Sequence, residues 1–197
     1  MTVMRAQPVR ASAPCRADFA GGTLDIWPIG LLHPGAMTVN VAVPVRVVVE
    51  VAAAAPPGEV WHAAGRMPWT RRSSADARGD LAAACALAVW PAGGLTVRVA
   101  EQAPLGSGLG GSSAFAVAVA RAVATLAGRD LGGGDLVALL RDVEVQLLQT
   151  STGTQDHWAA LRGGALAIHH RPGGERVERL EVDPRWLAER MSVFFTG

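Results

Sequence analysis

The residues best suited to chemistry form a glycine-rich stretch, Pro104–Ala114, in the middle of the chain. It reads Pro-Leu-Gly-Ser-Gly-Leu-Gly-Gly-Ser-Ser-Ala, and the apolar segment that follows predicts a helix over 114–126. Glycine allows a ligand to approach the main chain closely. The first N–H groups of a helix lack partners within the helix and lie at the positive end of its dipole. The stretch therefore predicts a site for phosphate, with the two serines able to cap the helix or to offer a hydroxyl to a metal.

The stretch differs from two common phosphate-binding motifs. A Walker loop requires a lysine after its last glycine, and the chain contains no lysine, so that motif is excluded. The segment Gly106–Gly111 satisfies the G-x-G-x-x-G pattern of dinucleotide-binding folds. However, Glu101–Pro104 separates it from the preceding predicted strand, and no second strand with an acidic residue follows at the usual distance. Dinucleotide binding stays as a weaker alternative, as does an ordinary glycine turn before a helix.

The composition sets limits on the class of protein. The chain has 197 residues, of which 50% are hydrophobic, and a formal net charge of +1. We expect one domain with a sizeable core and no bulk electrostatic attraction to nucleic acid or to an anionic membrane. The two cysteines, Cys15 and Cys85, have no metal-binding spacing, and we expect them to be reduced. No signal peptide or membrane-spanning run is visible, so the sequence predicts a soluble, cytoplasmic protein.

The pattern of apolar residues and turn residues predicts a mixed arrangement of strands and helices. The predicted strands cover 9–20, 37–43, 45–55, 60–63, 95–100, 165–169 and 176–182, and the predicted helices cover 80–90, 114–126, 135–149, 155–161 and 184–190. Pro44 is expected to interrupt a strand pair, Asp135 to cap its helix, and residues 65–78 to form an irregular surface loop. Residues 191–197 are expected to begin a strand. Because there is no regular βαβ repeat, we predict an α+β fold.

Three separated segments together resemble the GHMP kinases. The segment Ala13–Asp25 contains Pro-Cys-Arg followed by Gly-Gly-Thr-Leu-Asp and resembles the N-terminal signature of that family. Pro104–Ala114 resembles its ATP-phosphate motif. Gly153–His157, which reads Gly-Thr-Gln-Asp-His, resembles its Gly-x-x-Asp-Gln segment, with a histidine where glutamine is usual. The resemblance is greatest to the sugar-kinase branch, which includes galactokinase, fucokinase and the heptose 7-phosphate kinases.

This resemblance implies an ATP-dependent sugar kinase that uses Mg²⁺. Asp156 would accept the proton of the attacking sugar hydroxyl, and Arg16 would stabilise the developing charge and orient Asp156. Ser112, or Ser113 as second choice, and Glu144, twelve residues before Asp156, would hold Mg²⁺. The residues implied to bind ATP are Pro104, Gly106, Ser107, Gly108, Leu109, Gly110, Gly111, Ser112 and Ser113. Those implied to bind the sugar are Asp25, Gly22, Thr23 and Gly153.

Each of these residues has an ordinary structural explanation when it is considered alone. Arg16 could be an exposed strand residue, Asp25 the cap of a turn, Glu144 a solvated helix residue, and Asp156 the start of a short helix. Only their joint pattern favours the functional interpretation.

The resemblance also implies a domain organisation. The expected fold resembles a ribosomal-protein domain, with residues 1–190 as the N-terminal domain of the family and residues 191–197 as the start of a C-terminal domain that is missing. We expect weak or no turnover from this chain alone, and either a homodimer or a missing C-terminal half as its partner. Two alternatives remain open: a non-catalytic relative that binds a sugar or nucleotide and acts through a partner, and a nucleic-acid-binding module, which the near-zero net charge disfavours.

Overall fold

The computed structural model describes residues 7–73, 75–192 and 194, without the side chain of Arg78. The strands are β1 Val9–Ala20, β2 Met37–Ala52, β3 Glu59–Ala64, β4 Thr70–Ser73, β5 Leu95–Glu101, β6 Ala165–His169 and β7 Arg176–Leu180. The α-helices are α1 Ile29–Leu32, α2 Leu81–Val89, α3 Gly111–Leu126, α4 Gly133–Leu148, α5 Gln155–Arg162 and α6 Pro184–Ala188, with short 3-10 helices at Gly22–Asp25 and Ala77–Gly79.

The sheet is organised around β2, which is long and rich in valine. The strand order is β4-β3-β5-β2-β6-β7, and β1 also pairs with β2. The first part of β2 pairs with β6 and the last part pairs with β5, both antiparallel. Only the pairing of β3 with β5 is parallel among the described strands. The predicted α+β class is therefore confirmed.

The predicted interruption of β2 at Pro44 is wrong, because the strand is continuous through this residue. A proline within a strand removes one N–H donor from the ladder. The ladder with β6 covers residues 37–41 of β2 and the ladder with β5 covers residues 48–52, so Pro44 lies between them. On the other side, β1 shifts register between the pairs that involve Arg46 and Ala42. Pro44 therefore occupies a stretch where the missing donor costs no ladder hydrogen bond.

Three further predictions of local structure need correction. The region 65–78, predicted as an irregular loop, contains β4 and most of a 3-10 helix. Helix α3 begins at Gly111, so Ser112 and Ser113 lie in its first turn rather than at its cap, which is Gly110. Asp135 lies in the first turn of α4 and is not its N-cap, because that helix begins at Gly133.

Most of the other predicted elements are close to those observed, including α2, for which Asp80 is the N-cap and accepts a hydrogen bond from the Ala83 N–H at 3.0 Å. The predicted strand at 191–197 falls largely outside the described residues. Among the described helices, none is long and apolar enough to cross a membrane.

The core is built around α3, which lies against β1 and β2 and contacts α2 and α5. Alanine and valine fill nearly all of its buried positions, and eight of these are fully buried at 0% exposure: Ala114, Ala116, Val117, Ala118, Val119, Ala120, Ala122 and Val123. Small side chains let the helix approach the sheet closely, and this close approach fixes the position of its N-terminal end. Cys15 and Cys85 are both buried and unpaired.

We expect Ala118→Leu to destabilise the protein by about 1–3 kcal/mol, because three additional carbon atoms must be accommodated in a close-packed interface. Urea unfolding of this variant measures the loss. Arg121→Leu is the matched control, because Arg121 lies on the same helix and is exposed. Equal unfolding midpoints for Ala118→Leu and the wild type would contradict the close packing of α3.

Candidate active site

The glycine-rich loop owes its shape to three glycines with left-handed backbone conformations. The φ angles of Gly106, Gly108 and Gly110 are +73°, +69° and +69°. Other residues rarely adopt such angles. Gly110 is also required for space, because a Cβ atom there would lie 2.9 Å from Cδ of Arg16 and 3.1 Å from Oδ2 of Asp156. The loop therefore passes close to both predicted catalytic side chains, Arg16 and Asp156.

The loop ends at the N-terminus of α3, where no side chain caps the helix. The first N–H groups of α3 have no intrahelical acceptor, and the helix dipole makes this end attractive to anions. They border a cavity of about 630 Å³ that Arg16, Asp156 and most residues of the loop line. Two of the predicted ATP-binding residues do not line it: Leu109, which packs against the core, and Ser113, which is buried. The predicted ATP-binding residues are thus close together at a helix end that can accept phosphate oxygens.

Arg16 connects this loop to β1 and α5. Its side chain is 9% exposed, and Nε lies 2.6 Å from Oδ1 of Asp156 while Nη2 lies 2.8 Å from Oδ2 of Asp18. Nη1 donates to the Gly108 carbonyl oxygen. The main-chain N–H of Arg16 donates to the Leu109 carbonyl oxygen at 3.0 Å. One guanidinium group therefore fixes the loop and the Asp156 carboxylate relative to each other.

Asp156 lies in the first turn of α5, beside Arg16, and its environment favours the protonated form. Burial raises the pKa of Asp156 from its ordinary value of 3.8 to about 6, and the nearby carboxylates of Asp18 and Asp25 act in the same direction. The Arg16 guanidinium opposes this rise. A carboxylate with a raised pKa is a stronger base, which suits acceptance of a proton from a hydroxyl.

The predicted sugar-binding residues lie together at the N-terminus of α5. Oδ2 of Asp25 accepts a hydrogen bond from the Gln155 N–H at 3.0 Å, and the Gln155 side chain donates to the Gly22 carbonyl oxygen at 3.1 Å. A Cβ atom on Gly153 would lie 1.8 Å from the same carboxylate oxygen. Thr23 belongs to the same 3-10 helix as Asp25. Asp25 therefore ties the N-terminal signature to α5.

Glu144 reaches the same end of α3 from helix α4. It is buried, and the Ser113 hydroxyl donates to its two carboxylate oxygens at 3.2 and 3.1 Å. Burial raises the pKa of Glu144 to about 7, although the hydrogen bond from Ser113 opposes the rise. His157 Nε2 lies 3.4 Å from Oε2. Because burial lowers the pKa of His157 to about 4, the ring is uncharged at neutral pH and does not neutralise the carboxylate.

These donors fit Mg²⁺, which prefers oxygen ligands and commonly takes one or two carboxylates together with phosphate oxygens. Glu144 and Ser112 line a small cavity of about 230 Å³, and Ser112 also lines the larger cavity of the glycine loop. Ser113 donates to Glu144, and the hydroxyl of Ser112, which is exposed, also acts to lower the pKa of Glu144. Among the described residues, no three His, Cys, Asp or Glu side chains group as a metal site by themselves. An ion here would therefore depend on phosphate oxygens as further ligands.

Two residues of the site, Asp18 and Gln155, were not predicted from the sequence. Asp18 pairs with Arg16, and burial raises its pKa while Arg16 opposes the rise. The signal for Asp18 was its position two residues after Arg16 on a strand, which places both side chains on one face. No local pattern marked Gln155, whose contacts with Asp25 and Gly22 join segments about 130 residues apart.

Part of the chain that carries this site matches a known protein family. Residues 78–164 match the profile of the family described as GHMP kinases N terminal domain. Over 80 residues the chain is 35% identical to the mevalonate kinase of Thermococcus onnurineus, a match that covers 41% of this chain and 23% of that protein.

Solved structures show the same fold. A D-glycero-D-manno-heptose 1-phosphate kinase from Bacteriodes thetaiotaomicron superposes with a TM-score of 0.75 at 22% identity, over 91% of this chain and 62% of that one. Lactococcus lactis galactokinase in complex with galactose gives 0.72 at 14% identity, over 89% and 48%. Methanococcus jannaschii mevalonate kinase gives 0.69 at 12% identity, over 90% and 57%. The chain thus spans between about half and two thirds of the length of these structures. The predicted resemblance to the GHMP kinases is confirmed: residues 78–164 match the profile of the N-terminal domain of that family, and the whole chain has the fold of these kinases.

The raised pKa of Asp156 predicts how a substitution there changes stability with pH. The folded protein binds this proton more tightly than the unfolded chain, so the stability it contributes is complete below pH 4 and is lost as the pH rises through 6. Asp156→Asn remains neutral throughout. We expect it to be more stable than the wild type by about 1–2 kcal/mol at pH 8 and nearly equal at pH 4.

Urea unfolding at pH 4, 6 and 8 measures this difference. Asp130→Asn serves as the control, because Asp130 is exposed in the turn between α3 and α4. A stability difference between Asp156→Asn and the wild type that does not change from pH 4 to pH 8 would contradict the raised pKa.

The contact between Gly153 and Asp25 predicts a coupled effect. We expect Gly153→Ala to destabilise the protein by about 2–4 kcal/mol because the new methyl group overlaps the carboxylate, and we expect much of this loss to disappear in the Asp25→Ala background. A double-mutant cycle of unfolding free energies measures the coupling. Gly134→Ala is the control, since a Cβ there meets nothing within 4 Å. Additive effects of the two substitutions would show that the side chains do not meet.

Proposed function

We propose that this chain is the nucleotide- and acceptor-binding part of an ATP-dependent sugar kinase of the GHMP family. The glycine loop from Gly106 to Ser113 holds the ATP phosphates, and Asp156 accepts the proton of the sugar hydroxyl that attacks the γ-phosphoryl group. Arg16 keeps Asp156 beside the loop. Two observations support this assignment: the family match and the chemistry of the residues around one cavity.

The observation that carries the proposal is the convergence of a base and an anion site. Asp156 and Ser112 line the same cavity, and Arg16 holds the Asp156 carboxylate at 2.6 Å. Phosphoryl transfer depends mainly on positioning and charge stabilisation, so these are the features that the reaction needs. When bound with ATP beside Glu144, Mg²⁺ would neutralise charge on the phosphate oxygens.

The acceptor is proposed to be a sugar because two further carboxylates lie near Asp156. Asp18 and Asp25 both influence the pKa of Asp156, and carboxylates are good acceptors for sugar hydroxyl groups. Two of the similar structures are named for kinases of sugars, whereas the curated relative is a mevalonate kinase. The coarser conclusion, a phosphotransferase of this family, does not depend on the choice of acceptor.

A screen with radiolabelled ATP tests the proposal. The longest natural form of the gene product is incubated with a panel of hexoses, heptoses and their phosphates, and with mevalonate and homoserine. We expect transfer to at least one sugar, and transfer to mevalonate or homoserine alone would overturn the sugar assignment.

Asp156→Asn should lower kcat by at least about 10³-fold without changing the Kd for ATP, because the variant lacks the base but keeps the loop. Asp130→Asn should leave both values unchanged. Unaltered turnover in Asp156→Asn would reject the role of Asp156. Binding of ATP without transfer to any acceptor would favour a non-catalytic relative.

A further inference from the structure

The cavity that contains the glycine loop extends beyond the phosphate site along β3 and β5. Ala64 on β3 is paired with Val99 on β5, and His62 is paired with Val97, two residues further from the loop. His62 and Ala64 both line the cavity, so along β3 the histidine lies further from the glycines than Ala64 does. Apolar side chains form the surrounding walls: Val47, Leu81, Val99 and Phe115.

The part of the cavity around His62 has the character of a site for a flat, partly polar ring. Leu81, Val99 and Phe115 are half-buried and supply apolar surface. The imidazole of His62, with its side chain 25% exposed, adds a polar group that can form hydrogen bonds there. A nucleotide whose phosphates lie on the loop would place its base in this part of the same cavity.

The carboxylate of Asp80 determines which ring nitrogen of His62 carries the proton. Oδ1 of Asp80 accepts the Ala83 N–H at 3.0 Å, and Oδ2 lies 2.6 Å from Nε2 of His62 and 3.5 Å from Nε of Arg72. A carboxylate only accepts hydrogen bonds, so in the neutral ring Nε2 carries the proton. Nε2 is buried, and although its N–H does not point along the line to Asp80 as in an aligned hydrogen bond, a separation of 2.6 Å from Oδ2 leaves no room for two facing lone pairs. The remaining nitrogen, Nδ1, is then an acceptor on the accessible part of the ring.

We propose that His62, with its tautomer fixed by Asp80, selects the base of the bound nucleotide by accepting a hydrogen bond from an exocyclic amino group. This inference rests on the proposed function, because it assumes that the loop binds nucleotide phosphates. Adenine presents an amino group at position 6. Hypoxanthine presents a carbonyl oxygen there, and two acceptors would face each other without a proton between them.

The test compares ATP with ITP, which differ at position 6 of the base and at the adjoining ring nitrogen. Displacement of a fluorescent ATP analogue from the full chain gives the Kd of each nucleotide. We expect the wild type to prefer ATP by about tenfold. His62→Phe, which keeps a flat ring but has no acceptor, should bring the ratio close to one.

A second variant should exchange the donor and acceptor nitrogens of the His62 ring. In Asp80→Asn the amide oxygen can still accept the Ala83 N–H, and the amide NH₂ then faces Nε2 of His62. The proton moves to Nδ1, which becomes a donor, so the preference should shift toward ITP. A purely structural role for His62 and Asp80, in which they join β3 to the start of α2, predicts no change in the ratio for either variant.

The controls separate failure of this inference from failure of the proposed function. His33→Phe should leave both affinities unchanged, because His33 is exposed between α1 and β2. Equal affinities of the wild type for ATP and ITP, or an unchanged ratio in His62→Phe, would overturn the role of His62 while leaving the kinase assignment intact. Absence of binding to either nucleotide would overturn both. If thermal unfolding shows that Asp80→Asn is not folded, His62→Phe alone decides the outcome.

Discussion

The candidate site depends on the burial of one guanidinium group, that of Arg16. Burial of a charge is unfavourable unless hydrogen-bonding partners of suitable charge surround it. Arg16 meets this requirement with acceptors from three parts of the chain: Asp18 on its own strand, the Gly108 carbonyl in the loop and Asp156 on α5. Each contact is also a constraint on position. The loop and α5 must both approach β1 closely, and Gly110 permits this approach because it has no side chain.

The parts of the site that the sequence predicts are those with local causes. Alternating valines predict β2, small apolar residues predict α3, and glycines between a strand and a helix predict a loop with exposed N–H groups. The resemblance of three segments to one family then predicted that Arg16, the loop and Asp156 come together. Local pattern alone gave no reason for that, because an arginine in a strand or an aspartate in the first turn of a helix usually faces solvent.

The features that the sequence did not predict have causes that are distant along the chain. Whether Pro44 ends a strand depends on where the ladders with β5 and β6 begin, and these strands lie more than 50 and 120 residues away. The hydrogen bond from Gln155 to Asp25 spans 130 residues. Strand β4 is short and polar and forms because β3 offers it an edge. Such elements follow from tertiary contacts rather than from propensity.

The same electrostatic pattern explains why this site would require ligands to reach its full stability. Glu144 and Asp156 both have raised pKa values, mainly because burial disfavours their charged forms. At neutral pH the folded protein therefore holds carboxylates in an unfavourable environment next to helix N–H groups that lack acceptors. A cation would neutralise the buried carboxylates, and an anion would accept hydrogen bonds from the helix N–H groups. A ligand that carries both, a phosphate chain with a divalent metal, offsets the two costs together, so its binding to the folded state would raise stability by mass action.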